Sequence, residues 1–371
     1  MAIDIYDTLY MLEAVRLLPP EHTFFKSRYF PTNQSLDVFT TSKVLADFKQ
    51  ETLRLAEFTH PDFGPVAVGR DGFATYELEP ANISISRPLT LAQLEKRGFG
   101  ESILSTATRA DRARVLLAGD LDELNKRISR TEEKLAIDTM IGNGATIKQR
   151  IAATGDDEKD FEDVEVKFFD GDANPAEHKL TSKWTHSTYA DGQWKIGGWY
   201  HDIASMAKAL TRSGSPATEV IVSADVAQFL LEDPWVIAMA DNRRIEVTNP
   251  INPSELTEFV YELANINFLG KNLRVLVSDG TYVDAKGKDQ PYMPDETVIV
   301  TAPGCGKGLY GAVTQMDEAG NIQTYTGTRV PMYLFTRKPP VKEVILTTKP
   351  LFVPVRPNPW MVANKVLSNP T

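Results

Sequence analysis

The chain has 371 residues, of which 42% are hydrophobic and 24% charged, and its formal net charge is -10. That length exceeds what one compact core usually takes, so two structural units are expected and a third is left open. The acidic balance excludes a protein that gathers phosphate backbones by counterion release. The single cysteine, Cys305, excludes an intramolecular disulfide, and no run approaches the ~20 apolar residues of a membrane span.

The N-terminus, "MAIDIYDTLYMLEAVRLLPPEH", has acids where a secretory leader needs bases, which predicts a soluble chain that is not exported. A short helical pattern (Leu9, Leu12, Val15) gives way to Pro19, Pro20 and Pro31, which forbid a continuing helix. Residues 1–43 therefore read as an arm. From Val44 to Pro88 the texture alternates (Ala74, Tyr76, Leu78, then Ile83, Ile85) around an Asp71-Gly72 turn. This is a strand-and-hairpin signature. Its length and its glycines and prolines predict an extended two-stranded projection, which is marginal in water unless it lies on something.

Leu89 to Ile141 carries the strongest helical signal. Thr90 is placed to cap, and Leu117, Leu121, Leu124, Ile128 and Leu135 recur at helical spacing. Asp122–Lys126 and Glu123–Arg127 stand four apart with the acid first, and "IGNG" is a stop. Ala145 to Gly198 reads as strands and turns. Beyond Tyr200 the pattern is mixed: helices at Asp202–Leu210 and "ADVAQFLLED", buried strands at "TEVIVS" and "LRVLVSDG". From Val330 on, β-branched residues and Pro350, Pro354, Pro357 and Pro359 predict extended chain at a sheet edge or along a surface.

Motifs for chemistry are tested and mostly fail. "TAPGCGKGLYG", Thr301 to Gly311, looks like a phosphate-cradling loop, but Thr301 replaces the first glycine and Gly308 the magnesium-binding hydroxyl. The following "LYGAV" reads as strand, so no helix N-terminus awaits a phosphate; the stretch reads as a turn between strands. "DGDANPAEHK" begins like a calcium loop, but Pro175 takes the glycine position and Thr181 that of the bidentate glutamate. The five histidines show no zinc spacing. Ser205 and Lys208 form an S-x-x-K without the companion motifs of a serine acylase. They leave a soluble serine hydrolase as the reading from a different class. No cofactor or metal is expected.

The order of parts (arm, long hairpin, long helix ending in glycine, strand-rich piece, α/β unit, extended C-terminus) resembles the major capsid proteins of tailed bacteriophages, in particular the lambda-type major capsid protein E family. "YELEPANISISRPLTLAQL", "ISRTEEKLAIDTMIGNG", "DGTYVDAKGKDQPYMPDETVIV" and the Pro-rich ending "LTTKPLFVPVRPNPWMVAN" carry the resemblance. It implies an α+β chain with the Hong Kong 97-type capsid fold: N-terminal arm (1–43), extended loop (44–88), peripheral domain with a spine helix (89–197), α/β axial domain (198–330), and a C-terminal segment (331–371) returning to the peripheral domain. It implies self-assembly into pentamers and hexamers that close an icosahedral shell around double-stranded DNA, within the virion and after assembly in the host cytoplasm. Implied partners are a scaffolding protein, a portal and a decoration protein; no membrane is involved. Intersubunit contacts are expected at Arg70 and Asp71 on the loop tip, at Tyr76, and at Arg130 and Glu132 in the Arg-x-Glu-Glu of the helix. An encapsulin-like nanocompartment shell is the alternative within assembly. Relatives that cross-link their shells use a lysine, an asparagine and a catalytic glutamate; no such trio is placed here, so no cross-linking is expected.

Overall fold

The computed structural model describes residues 8–16, 23–49, 73–90, 108–151, 161–240, 251–257, 259–284, 287–316, 321–337 and 340–367. Two N-terminal helices, α1 (Thr8–Arg16) and α2 (Phe25–Tyr29), precede the dominant element, α3 (Arg109–Gly142). At 1.5 Å per residue α3 is about 50 Å long. Thr108 caps it in a reciprocal box with Asp111: the Asp111 amide donates to the Thr108 hydroxyl oxygen (3.2 Å) and the Thr108 amide to the Asp111 carboxylate (3.2 Å). Leu117, Leu121, Leu124 and Ile128 are buried on one stripe against α1, and Ala136, Ile137 and Met140 on the continuation. The helix ends where Asn143 takes the left-handed conformation (φ 48°).

The predicted start of this helix is corrected. Leu89 and Thr90 end a strand, Ile83–Thr90, and the cap is Thr108. That strand does not belong to the projection either. It pairs antiparallel with Pro340–Thr348, which in turn pairs with Val330–Arg337, giving a three-stranded sheet along α3. Pro88 tolerates this position because the strand is an edge. The hairpin pairing itself involves Val44–Lys49 and Phe73–Leu78, antiparallel in the register Val44↔Leu78 to Lys49↔Phe73. The Asp71-Gly72 turn lies outside the described residues.

The α/β unit is a six-stranded sheet in the order Met361–Ala363, Val298–Thr301, Glu219–Ser223, Lys271–Ser278, Val260–Phe268, Ile251–Thr257. Glu219–Ser223 is buried throughout, as its unbroken apolar run requires. Val220 and Val222 face the helices α4 (Gly198–Arg212), α5 (Ala224–Glu232) and α6 (Pro234–Ala240). Ile221 faces the other way, toward α2 and the end of α3. The C-terminal stretch is divided: Pro340–Thr348 runs beside α3, whereas Met361–Ala363 closes the edge of the six-stranded sheet. The later part of the segment also touches 143–184: Asn358 accepts from the Asn143 side chain, and the backbone of Val362 and Val366 bonds with that of Ala176, His178 and Trp184.

Candidate assembly site

The N-terminal segment ties α3 to the six-stranded sheet. Phe25, Tyr29 and Phe30 are sealed in one cluster with Ile137, Met140, Ile221 and Ile299. Carboxylates from both sides grip the polar groups of this segment. Glu133 accepts from the backbone amides of Phe24 (2.8 Å), Phe25 (2.7 Å) and Lys26 (3.0 Å), which satisfies the orphan donors that open α2. Burial pushes the Glu133 carboxyl up, against the pull of these amides.

Glu132, fully buried, takes Lys26 (2.6 Å), both guanidinium nitrogens of Arg329 (2.7 Å each) and the Tyr310 hydroxyl (3.2 Å). Burial alone would raise its carboxyl, but Arg329 and Lys26 prevail and hold it below the usual range. On the sheet side, Glu219 accepts from Arg28 Nε (2.9 Å) and the Tyr29 hydroxyl (2.7 Å), with Arg274 at 3.6 Å.

The glycine-rich stretch is the bed for this segment. The amides of Gly304, Gly308, Tyr310 and Ala312 donate to the carbonyls of Arg28, Pro31, Asp37 and Thr41. A Cβ on Gly306 would lie 2.3 Å from the Phe30 ring, and one on Gly308 2.5 Å from the Thr32 hydroxyl. The glycines thus make room for the chain's own N-terminal segment, and amides that a phosphate would need are already used. The turn expected from the failed motif sits between Val298–Thr301 and Gly306–Tyr310.

Among the described residues three surfaces face outward. The first is the paired ribbon. Its Leu45 is 53% and its Tyr76 45% exposed. Tyr76 pairs with Ala46, so these two apolar side chains occupy opposite faces. The second is a groove of about 660 Å³ between Ala81–Ser84 and Ile147–Ile151, floored by Thr131 and Leu135 of α3. The third is the outer side of α5 and α6, where Leu231, Ile237 and Met239 are each exposed.

The sequence model of the family described as phage major capsid protein E matches residues 7–364. The chain belongs to that family. As a phage major capsid protein it is a shell-forming component of the virion. A prophage protein of Escherichia coli CFT073, assigned as a capsid protein, is 18% identical over 97% of this chain and 99% of its own, with a TM-score of 0.60. The two share the Hong Kong 97-type capsid fold. A phage-related protein from Bordetella bronchiseptica RB50 is 12% identical over 96% of both chains (TM-score 0.49), and a structure from Mycobacterium phage Che8 is 14% identical over 95% and 96% (TM-score 0.44). No curated protein sequence matches.

For this capsid protein the sequence-predicted contact residues separate. Arg70 and Asp71 lie outside the described residues. Tyr76 is on the ribbon and exposed; Arg130 is exposed on α3. Glu132 is a correction: its carboxylate has no accessible surface and is spent inside the chain on Lys26, Arg329 and Tyr310. Helical phase explains the split, since Arg130 and Glu132 stand two apart and so face different ways. Lys26, Arg28, Glu219 and Arg329 were not singled out from sequence. Their partners stand 106 to 197 residues away, and no spacing signals such a tie. Ser205 and Lys208 are both exposed on the outer face of α4. Among the described residues no group of three His, Cys, Asp or Glu is placed to hold a metal ion, and no helix is long and apolar enough to cross a membrane.

Proposed function

We propose that copies of this capsid protein form rings of five and six that close into an icosahedral shell around double-stranded DNA, and that they do so by contact alone, without catalysis. The exposed two-stranded ribbon carries the reading. The root of the ribbon, Val44 and Ala46, is buried on its own chain, but Leu45 and Tyr76 beyond it are exposed, and such an extended ribbon is stabilised when a neighbouring copy covers it. The groove beside Ile147–Ile151 is the receiving surface. It offers Lys148 and Arg150, while residues 50–72 carry four acids (Glu51, Glu57, Asp62, Asp71) against two bases (Arg54, Arg70), a net of -2. Leu231, Ile237 and Met239 meet their symmetry mates at the ring centre. The net charge of -10 keeps the inner wall from gripping DNA.

Ser205 and Lys208, solvated on a helix face, do not support a hydrolase, and membership of a phage family favours a virion shell over a cellular compartment. A scaffolding protein, a portal and a decoration protein complete the particle. Electron microscopy of the chain co-expressed with its scaffold tests this. Closed shells with five- and six-fold rings are expected; a compact monomer under all conditions contradicts it.

A further inference from the structure

We propose that Pro31–Lys43 is a latch that fixes the angle at which the Val44–Leu78 ribbon leaves the body, and that it opens without unseating the anchor Phe24–Phe30. The two halves of the N-terminal segment are held differently. The anchor buries Phe25, Tyr29 and Phe30. The latch is mostly solvent-facing: Asn33, Gln34, Ser35, Thr40 and Thr41 are exposed and Leu36 is 74% exposed. Backbone bonds to Gly308–Ala312 hold it: Gly308 amide to Pro31 carbonyl (3.4 Å), Phe39 amide to Tyr310 carbonyl (2.8 Å), Tyr310 amide to Asp37 carbonyl (2.9 Å) and Ala312 amide to Thr41 carbonyl (2.9 Å). Lys349 adds one side-chain bond, donated to the Ser42 hydroxyl at 2.9 Å.

Segments held by few apolar contacts and solvent-exposed hydrogen bonds open at lower free energy than the core. The ribbon begins one residue after the latch. Its root, Val44 and Ala46, sits on a small cluster with Val166, Leu309 and Leu351, against which the half-buried Phe39 of the latch also packs. With the latch shut, its backbone bonds and Phe39 tie the ribbon to the Gly306–Tyr310 strand; with it open, Phe39 leaves and only Val44 and Ala46 hold the root, against Val166, Leu309, Leu351 and Val353. Gly311 sets the fit, because a Cβ there would lie 2.8 Å from the Ser42 carbonyl oxygen. That contact is backbone and cannot rotate away. The role of the angle in assembly rests on the function proposed above, but the opening itself does not.

The test is hydrogen exchange by mass spectrometry on the full-length unassembled chain, with Cys305 labelling followed in parallel. Cys305 lies beneath the anchor, with its Sγ 4.0 Å from the Tyr29 carbonyl, so it reports the anchor and not the latch. Wild type should exchange faster at peptides covering 31–43 and 306–312 than at the core of α3. Gly311→Ala should accelerate those peptides about tenfold while Cys305 stays protected. Lys349→Met, a milder change that leaves the backbone path intact, should accelerate them less, and it decides the matter if Gly311→Ala does not fold. Latch exchange as slow as α3, no acceleration in either variant, or acceleration with simultaneous Cys305 exposure would each overturn the latch. Failure to form shells would count against the proposed function and leave the exchange result standing.

Discussion

Glu132 has two cations and a hydroxyl on one carboxylate; the carboxylate is sealed from water and Arg329 nearly so, while Lys26 keeps 22% of its side-chain surface exposed. Replacing it removes the charge that compensates Lys26 and Arg329, and an uncompensated buried charge is costly. Glu132→Gln is expected to lower unfolding stability by about 3 kcal/mol, read from urea midpoints. The same group sets a pH dependence. Its folded-state pKa lies below its usual value, so its contribution is complete above the ordinary carboxylate range and is lost as pH falls through the lowered value. The gap between wild type and Glu132→Gln should therefore narrow on acidification; a gap that widens contradicts the assignment. Burial pushes the Cys305 thiol up to about 12, and thiols react as thiolates. It should resist a thiol reagent at mildly alkaline pH until the chain is unfolded.

Elements differ in how far they announce themselves. The buried strand Glu219–Ser223 and the helices α4 and α5 were legible because continuous or periodic apolar runs mark them. The end of α3 was legible as "IGNG", although the left-handed residue is Asn143 and not a glycine. Asn143 also donates its side-chain amide to Asn358 at 2.7 Å. Asn143→Val is therefore expected to cost about 1–2 kcal/mol more than Asn143→Gly in thermal or urea unfolding. The pairing of Ile83–Thr90 was not legible. Its partner Pro340–Thr348 is some 250 residues away, and alternation fixes which face a strand buries without naming its neighbour. The glycine-rich stretch was legible as a turn between strands, but not as the bed of Phe30 and Thr32, since that contact joins residues about 275 apart.

At the scale of the whole molecule, the chain is a body whose two units are stapled together by its own N-terminus, with surfaces left over for other copies. Ile237→Asp changes an exposed side chain, so monomer stability should stay within about 0.5 kcal/mol while ring formation falls; equal loss of both would show that Ile237 serves the fold. The ribbon makes the stronger claim. Replacing residues 50–72 by a tight Asn-Gly turn keeps the strand pairing Val44–Lys49 with Phe73–Leu78. Sedimentation velocity of this variant beside wild type, each with scaffold, is the most direct measurement. The expected result is a folded variant that sediments only as monomer while wild type forms fast-moving shells. Shells from the shortened chain, in wild-type yield, would contradict it.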